Sequence, residues 1–274
     1  MKTNFNVKLK IIARLIFYFI KTRFLNRNKD WIMGRIACMG QDVFKQLNID
    51  VKVLNIQKGR VDYLNSFSEN SKFRARAHKV YYYIKSNDIK SLIFQQQFGY
   101  GIKKKPPLML YMDSFSELTD KRFFYVNKKW SFCANYSDIN HSLEFKRKFK
   151  SEGFLHEDNL FEQYHQFFSF FRNVYSNVPV IFLHFPVKLD NREKFKIRYL
   201  KIKEAIDKIK DEFRPFYSLE VDESIVDWPE DSPPELKDFP YHYNKETYQN
   251  LANQIRSAGV IELINKKINE DLRR

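Results

Sequence analysis

The chain has 274 residues, of which 43% are hydrophobic and 17% aromatic, and this composition excludes a disordered or fibrous protein. Its 48 lysines and arginines outnumber 33 aspartates and glutamates, so the formal net charge of +15 favours partners that carry negative charge, such as phosphate, anionic lipid or an acidic polymer. The two cysteines, Cys38 and Cys133, lack the spacing of a zinc site or a disulfide framework. We therefore expect no structural metal and a reducing compartment.

Residues 1–30 are predicted to form a basic amphipathic helix. The apolar run Leu9–Ile20 contains Lys10 and Arg14, and it is too short to cross a bilayer. No small-residue cleavage site follows it, which argues against a signal peptide. A helix of this kind lies in the membrane interface with its cations on anionic headgroups, so we expect a cytoplasmic protein bound peripherally to the inner face of the membrane. Packing of the helix on the protein itself is the alternative.

Residues 31–105 are predicted to be an accessory α/β segment. The pattern indicates a helix over Trp31–Leu47, a strand over Ile49–Ile56 and a helix over Ser71–Ile84. Basic and aromatic residues alternate in the last helix, a pattern that can bind single-stranded nucleic acid. No nucleic-acid-binding module accompanies it, so we interpret it as a solvated basic face and expect no nucleic-acid partner. Glycines and prolines in 98–107 mark the end of the segment.

Residues 106–274 show strands alternating with long helices. The predicted strands are 108–112, 123–126, 131–135, 178–185 and 216–221, and the predicted helices are 159–174, 192–213 and 245–257. This alternation predicts βαβ units and a mainly parallel sheet, and hence an α/β fold with an N-terminal helical extension. Because sites in such sheets gather at the carboxyl ends of the strands, Asp113 and Ser114 stand where a functional site is expected.

Two stretches of this region resemble the SGNH/GDSL hydrolase superfamily. "LMLYMDSFSELTD" (108–120) is similar to its first block, an apolar strand that runs into Asp-Ser and a helix, and "LKDFPYHYNKETYQNLANQI" (236–255) is similar to its last block. The resemblance covers about residues 108–259. It implies an SGNH-like, flavodoxin-like three-layer sandwich, so that residues 106–274 would be the catalytic domain.

The resemblance also implies a catalytic set. Ser114 would be the nucleophile, His242 the base that takes its proton and Asp238 the acid that orients the histidine. The backbone N–H of Ser114 would stabilise the oxyanion at the start of a helix. Asp113 would organise the turn, and Asn135 is the candidate for a second oxyanion donor.

The sequence departs from the family pattern at several positions. Met112 stands where the family has a glycine, and Asp238 precedes His242 by four positions where three is usual, which leaves Asp231 as another candidate acid. The glycine and asparagine blocks that complete the oxyanion hole have no clear counterpart. Ser114 or Ser116 as an ordinary helix cap is the structural alternative, with a capping box closed by the glutamate at position 117.

These features together predict acyl transfer on a carbohydrate. We expect an O-acetyltransferase or O-acetylesterase that modifies an anionic polysaccharide or lipid-linked glycan, as in capsule or surface polysaccharide biosynthesis, at an anionic membrane surface. An esterase needs no cofactor, whereas a transferase would take an acyl donor such as acetyl-CoA. The alternative is a catalytically inactive scaffold or glycan-binding protein of the same fold.

Overall fold

The computed structural model of the chain describes residues 30–69, 75–98, 105–126, 130–232 and 241–272. The amphipathic helix predicted for residues 1–30 lies outside these ranges except for its last residue, and Asp238 also lies outside them. In the part of the chain that the structure describes, no helix is long and apolar enough to cross a membrane.

A five-stranded parallel sheet forms the centre of the molecule. Its strands are β1 (Trp31–Arg35), β2 (Lys52–Asn55), β3 (Leu110–Asp113), β7 (Val180–Leu183) and β8 (Phe216–Leu219), in the order β2-β1-β3-β7-β8. Every residue of the three inner strands is buried, while the two edge strands are half-buried. This gradient is what a parallel sheet with helices on both faces requires, because only its inner strands are covered on all sides.

Helices cover both faces of this sheet. The hydroxyl of Tyr111 in β3 donates to the carbonyl of Gly40, which places α1 (Cys38–Gln46) on that face. Phe182 in β7 pairs in register with Met112, so its side chain points to the opposite face, where its ring lies 5.6 Å from that of Tyr164. The helices α1, α9 (Lys245–Ser257) and α10 (Val260–Leu272) form one layer, and α2 (Val61–Glu69), α7 (Leu160–Val174) and α8 (Glu193–Ile209) form the other. The predicted three-layer α/β sandwich is therefore confirmed.

A second, antiparallel sheet is inserted in the chain between β3 and β7. Its strands β4 (Asp120–Tyr125), β5 (Ser131–Asn135) and β6 (Phe149–Gly153) take the order β5-β4-β6, and the chain also forms the short helices α5 (Phe115–Thr119) and α6 (Leu143–Lys148) in this region. The remaining helices of the described chain, α3 (Ala77–Val80) and α4 (Asn87–Phe98), precede β3. The side chain of Gln96 bonds both backbone groups of Cys133, with distances of 2.6 and 2.7 Å, and so fastens α4 to the edge strand β5.

Buried ion pairs join this second sheet to the loop between β2 and α2. Lys58 lies 3.2 Å from a carboxylate oxygen of Asp120 and 2.9 Å from one of Asp138. Two arginines from the two segments, Arg60 and Arg122, share the carboxylate of Asp62 at 2.6 and 3.2 Å. Because these charges are largely buried, Lys58 and Arg122 each depend on a carboxylate in the other segment.

Part of the N-terminal prediction is wrong. Residues 31–35 are a strand, and the helix predicted over Trp31–Leu47 begins only at Cys38. An apolar run of this length fits a buried strand as well as a helix segment, so periodicity alone cannot separate the two. As a result, the predicted accessory segment 31–105 contributes β1 and β2 to the same sheet as β3, and the sheet crosses the predicted domain boundary. Of the helix predicted over 71–84, the structure describes 75–84, and within this part residues 77–80 are α-helical.

Candidate active site

The candidate site lies where the order of the strands reverses. From β1 the chain leads to β2 on one side of the sheet, and it then returns to β3 on the other side, so the loops that leave β1 and β3 diverge. In sheets of this order the crevice between those two carboxyl ends is the usual position of a ligand. Ala37 and Cys38 follow β1, and Ser114 follows β3.

Asp113 bridges the two loops. Its Oδ2 accepts a hydrogen bond from the N–H of Ala37 at 2.6 Å, and its Oδ1 accepts one from the N–H of Phe115 at 3.1 Å. Burial raises the pKa of this carboxyl from its ordinary value of 3.8 to about 7, although the two N–H donors and the guanidinium of Arg35 act in the opposite direction. The group that holds the turn together therefore titrates near neutrality.

Ser114 is fully buried in this structure. Its hydroxyl oxygen accepts a hydrogen bond from the N–H of Phe185 at 2.9 Å. Its own N–H, predicted as an oxyanion donor, instead donates to the carbonyl of Leu183 at 3.1 Å, because it continues the ladder between β3 and β7. Ser114 occupies the N-cap position of α5, but its side chain makes no capping bond, so the predicted capping box is absent here.

His242 is half-buried and stands beside the same crevice. Its neighbour Tyr241 accepts a hydrogen bond from the Cys38 thiol at 3.5 Å through its carbonyl oxygen, and its ring lies 5.2 Å from that of Phe115. The imidazole makes no hydrogen bond within the described ranges of the chain. The structure thus brings Tyr241, the residue before His242, into contact with Cys38 and Phe115 on the two sides of the crevice, without joining the side chains of Ser114 and His242.

Asn135 has a different environment from the one expected of an oxyanion donor. It ends β5 of the second sheet, and its side-chain oxygen accepts from the N–H of Ser137 at 3.1 Å and from its hydroxyl at 3.0 Å. These bonds cap the 3-10 turn Tyr136–Asp138. Asp231, the alternative acid, is exposed in a turn.

Cys38 is a site residue that sequence reasoning missed. It is the first residue of α1, half-buried, and burial, followed by the charge of Asp113, raises the pKa of its thiol to about 11. The signal was a cysteine that two residues separate from the end of a buried strand. It was overlooked because that strand was interpreted as part of a helix.

A buried charge network lies beneath the crevice. Arg35, at the end of β1, forms an ion pair with Glu117, and neither side chain has any exposed area. Glu117 also accepts from the N–H of Val61 and from the hydroxyl of Tyr164, both at 2.8 Å. Burial alone lowers the pKa of Arg35, but the charge and hydrogen bond of Glu117, together with Tyr164 and Asp113, outweigh it and the net shift is upward. This network fixes four elements with respect to one another: β1, α2, α5 and α7.

A second cluster holds the segment that carries His242. Asp190 accepts hydrogen bonds from the guanidinium of Arg192 and, at 2.9 Å, from the hydroxyl of Tyr241. A further bond of 2.6 Å joins Arg192 to that hydroxyl. Among the described residues no group of three or more histidine, cysteine, aspartate or glutamate side chains is arranged to hold a metal ion.

Comparison with known proteins assigns the chain to no family. No protein-family model matches the chain, and no curated protein matches it either. Among solved structures it is similar to an acetyl xylan esterase from the rumen bacterium Butyrivibrio proteoclasticus, with a TM-score of 0.38 and 12% sequence identity. The match covers 88% of this chain, which spans 63% of the length of that esterase.

Proposed function

We propose that the chain catalyses acyl transfer on a carbohydrate, as an O-acetylesterase or O-acetyltransferase, at the crevice between the carboxyl ends of β1 and β3. The observation that carries this proposal is the convergence of two distant segments on that crevice. The ring of Tyr241, next to His242, lies 5.2 Å from the ring of Phe115, next to Ser114. A nucleophile and a base from opposite ends of a domain meet in this way in serine hydrolases.

In the proposed mechanism Ser114 attacks the acyl carbonyl carbon. Its hydroxyl already accepts the N–H of Phe185, which orients the oxygen and leaves its own proton available to a base. His242 takes that proton as the Oγ–C bond forms, and it then returns it to the oxygen of the departing alcohol. Water or a sugar hydroxyl releases the acyl group in the second half of the reaction. Asp238 is proposed to orient His242.

Access to Ser114 depends on the aromatic side chains around it. The ring of Phe115 lies 4.8 Å from that of Phe185 and 5.2 Å from that of Tyr241, and Ser114 itself has no exposed area. An acyl group therefore reaches the hydroxyl only when these rings separate. The proposal includes this displacement as a step before chemistry.

The proposed substrate is an anionic polysaccharide or lipid-linked glycan. The net charge of +15 supports a negatively charged partner, since long-range attraction raises the local concentration of such a substrate. A transferase would use an acyl donor such as acetyl-CoA. We further propose that the protein works at the cytoplasmic face of an anionic membrane, to which residues 1–30 would bind.

A fluorophosphonate probe tests the nucleophile, because it labels an activated serine. We expect the wild-type protein to be labelled and Ser114→Ala to lose the label. Ser116→Ala is the matched control, since this second buried hydroxyl bonds Gln57 and Asp120 and is outside the proposed mechanism. Cys38→Ala is expected to retain the label. Labelling of folded Ser114→Ala would show that another residue is the nucleophile.

The second candidate function is a glycan-binding or scaffold protein without catalysis. The absence of a hydrogen bond between His242 and any described residue favours it, as does the commitment of the Ser114 N–H to Leu183. If the wild-type protein takes no label and its turnover of p-nitrophenyl acetate is unchanged in His242→Ala, this second function replaces the first.

A further inference from the structure

Two cations flank the ring of Phe154, at the end of the second sheet. The ammonium nitrogen of Lys121 in β4 and the guanidinium carbon of Arg198 in α8 each lie 5.3 Å from the centroid of that ring. The two residues come from distant parts of the chain, so the fold brings two positive charges to one aromatic side chain. Such proximity costs free energy unless an anion accompanies it.

Arg198 forms no direct ion pair in the described part of the chain. It is only 4% exposed, its Nε donates to the backbone carbonyl of Glu117, and its Nη2 is buried without any hydrogen-bond partner. Burial lowers the pKa of this guanidinium, although the charges of Glu117 and Glu157 act in the opposite direction. The pKa of Arg35, which has a direct ion pair with Glu117, is instead raised. A buried cation that keeps an unused donor is destabilising by itself, and it points to a ligand that accepts a hydrogen bond there.

Lys121 also lacks an acidic partner among the described residues. Its ammonium group lies 4.5 Å from the ring centroid of Tyr136 and is half-buried, so cation–π contacts take the place of an ion pair. The opposite pattern holds for Lys58 nearby, which two carboxylates neutralise. The ammonium group of Lys121 is therefore held in position by aromatic rings, and its charge is available to an anionic ligand.

A line of contacts connects this pair to the candidate active site. The ring of Phe154 lies 6.0 Å from that of Phe195, and the guanidinium of Arg192 lies 4.1 Å from the centroid of Phe195. Arg192 in turn donates to the hydroxyl of Tyr241, the residue before His242. Asp190 already neutralises Arg192, and Lys194, 5.2 Å from the centroid of Phe195, is exposed. Lys121 and Arg198 are therefore the more buried cations that remain for a ligand along this line of described residues.

We propose that Lys121 and Arg198 form a subsite for an anionic group, a carboxylate or a phosphate, on the saccharide that enters the active site. The link to catalysis rests on the proposed function, whereas anion binding itself does not. Two cations, one of them a guanidinium with a free donor, suit an oxyanion that accepts several charge-assisted hydrogen bonds.

The aromatic geometry favours a saccharide over single-stranded nucleic acid. Base stacking requires an open ring face. One face of Tyr136 is covered by the ring of His141, whose centroid lies 3.7 Å away, and Lys121 lies over the ring as well. Tyr136 therefore positions a cation and offers no platform to a base.

Calorimetric titration of the full chain tests the subsite. The probes are trigalacturonate, which carries carboxylates, and inorganic phosphate, with neutral maltotriose for comparison. We expect trigalacturonate, phosphate or both to bind, with affinity at least tenfold weaker in Lys121→Met and in Arg198→Met. Lys90→Met is the matched control, because Lys90 lies over the ring of Tyr81 at the same distance of 4.5 Å but far along the chain in α4.

The possible outcomes distinguish a failure of the proposed anion subsite from a failure of the proposed catalysis. Unchanged affinity in folded Lys121→Met, equal binding of maltotriose, or tighter binding of a single-stranded RNA would each overturn the subsite. Because Lys121 is half-buried, its variant tests the proposal even where Arg198→Met fails to fold. If the protein binds the anions but is not labelled by the fluorophosphonate, the proposed subsite stands and only the proposed catalysis is contradicted.

Discussion

Asp113 illustrates how one residue combines a structural and an electrostatic role. Its two carboxylate oxygens accept N–H groups from the loops that follow β1 and β3, yet full burial raises its pKa to about 7. The folded protein thus binds a proton at this position more tightly than the unfolded chain, in which an aspartate has its ordinary pKa near 4.

The first prediction concerns the pH dependence of stability. The contribution of Asp113 is fully present below about pH 4 and is lost as the pH rises towards 7 and beyond. Urea unfolding of the wild type and of Asp113→Asn between pH 4 and 8 tests this. As the pH rises, the free energy of unfolding of the variant should increase relative to that of the wild type by up to roughly 4 kcal/mol.

Asp190 provides a control, because its contribution to stability should change with pH in the opposite direction. Burial alone raises the pKa of Asp190, but hydrogen bonds from Arg192 outweigh it and hold the pKa below its usual value. Its contribution is therefore present above about pH 4 and lost in acid. A difference between wild type and Asp113→Asn that stays constant with pH would contradict the assignment.

At the scale of elements, the ion pair of Arg35 and Glu117 determines how β1 meets its neighbours. Glu117 accepts hydrogen bonds from α2 and α7 and from the guanidinium of Arg35 in β1, so each of its carboxylate oxygens has a donor. A buried pair of this kind contributes little net stability compared with apolar residues of the same size, but removal of one partner leaves a buried charge.

A double-mutant cycle tests this network. The single variants Arg35→Met and Glu117→Leu should each lower the free energy of unfolding by about 3–5 kcal/mol, and the double variant that combines them should cost less than the sum of the two. Tyr164→Phe removes only one hydrogen bond to Glu117 and should cost about 1 kcal/mol. Additive effects in chemical denaturation would show that the pair acts independently.

The same elements show what the sequence can reveal. The strands β3 and β7 are continuous buried runs and α7, α8 and α9 are amphipathic, so their positions were predictable from pattern alone. The position of Asp113 and Ser114 at a carboxyl edge followed from β3. The partners of Glu117 were not predictable, because contacts between segments far apart in the chain leave no local pattern. For the same reason the bond from Phe185 to Ser114 was missed.

At the scale of the whole molecule, the sheet defines the folding unit. The strand β1 lies between β2 and β3, and it supplies Arg35 to the buried network. The helix α1 packs on α9 near the end of the chain. Residues 31–105 are therefore integral to the core that the C-terminal region needs.

This leads to a prediction about fragments. A chain that starts at residue 106 loses the neighbour of β3 and leaves Glu117 as an unpaired buried charge, so we expect no cooperative thermal transition by circular dichroism. A chain that starts at residue 30 keeps all five strands and should unfold cooperatively. A sharp transition in the shorter fragment would restore the separate C-terminal domain that the sequence suggested.

The ion pairs between the second sheet and the loop after β2 limit how this protein can be recombined. A graft of residues 120–153 into another scaffold would carry Asp120 and Asp138 without Lys58, and Arg122 without Asp62. The transferable unit is thus discontinuous and comprises 58–62 together with 120–153. Chimeras that exchange only one of the two stretches should therefore fail to express as folded protein.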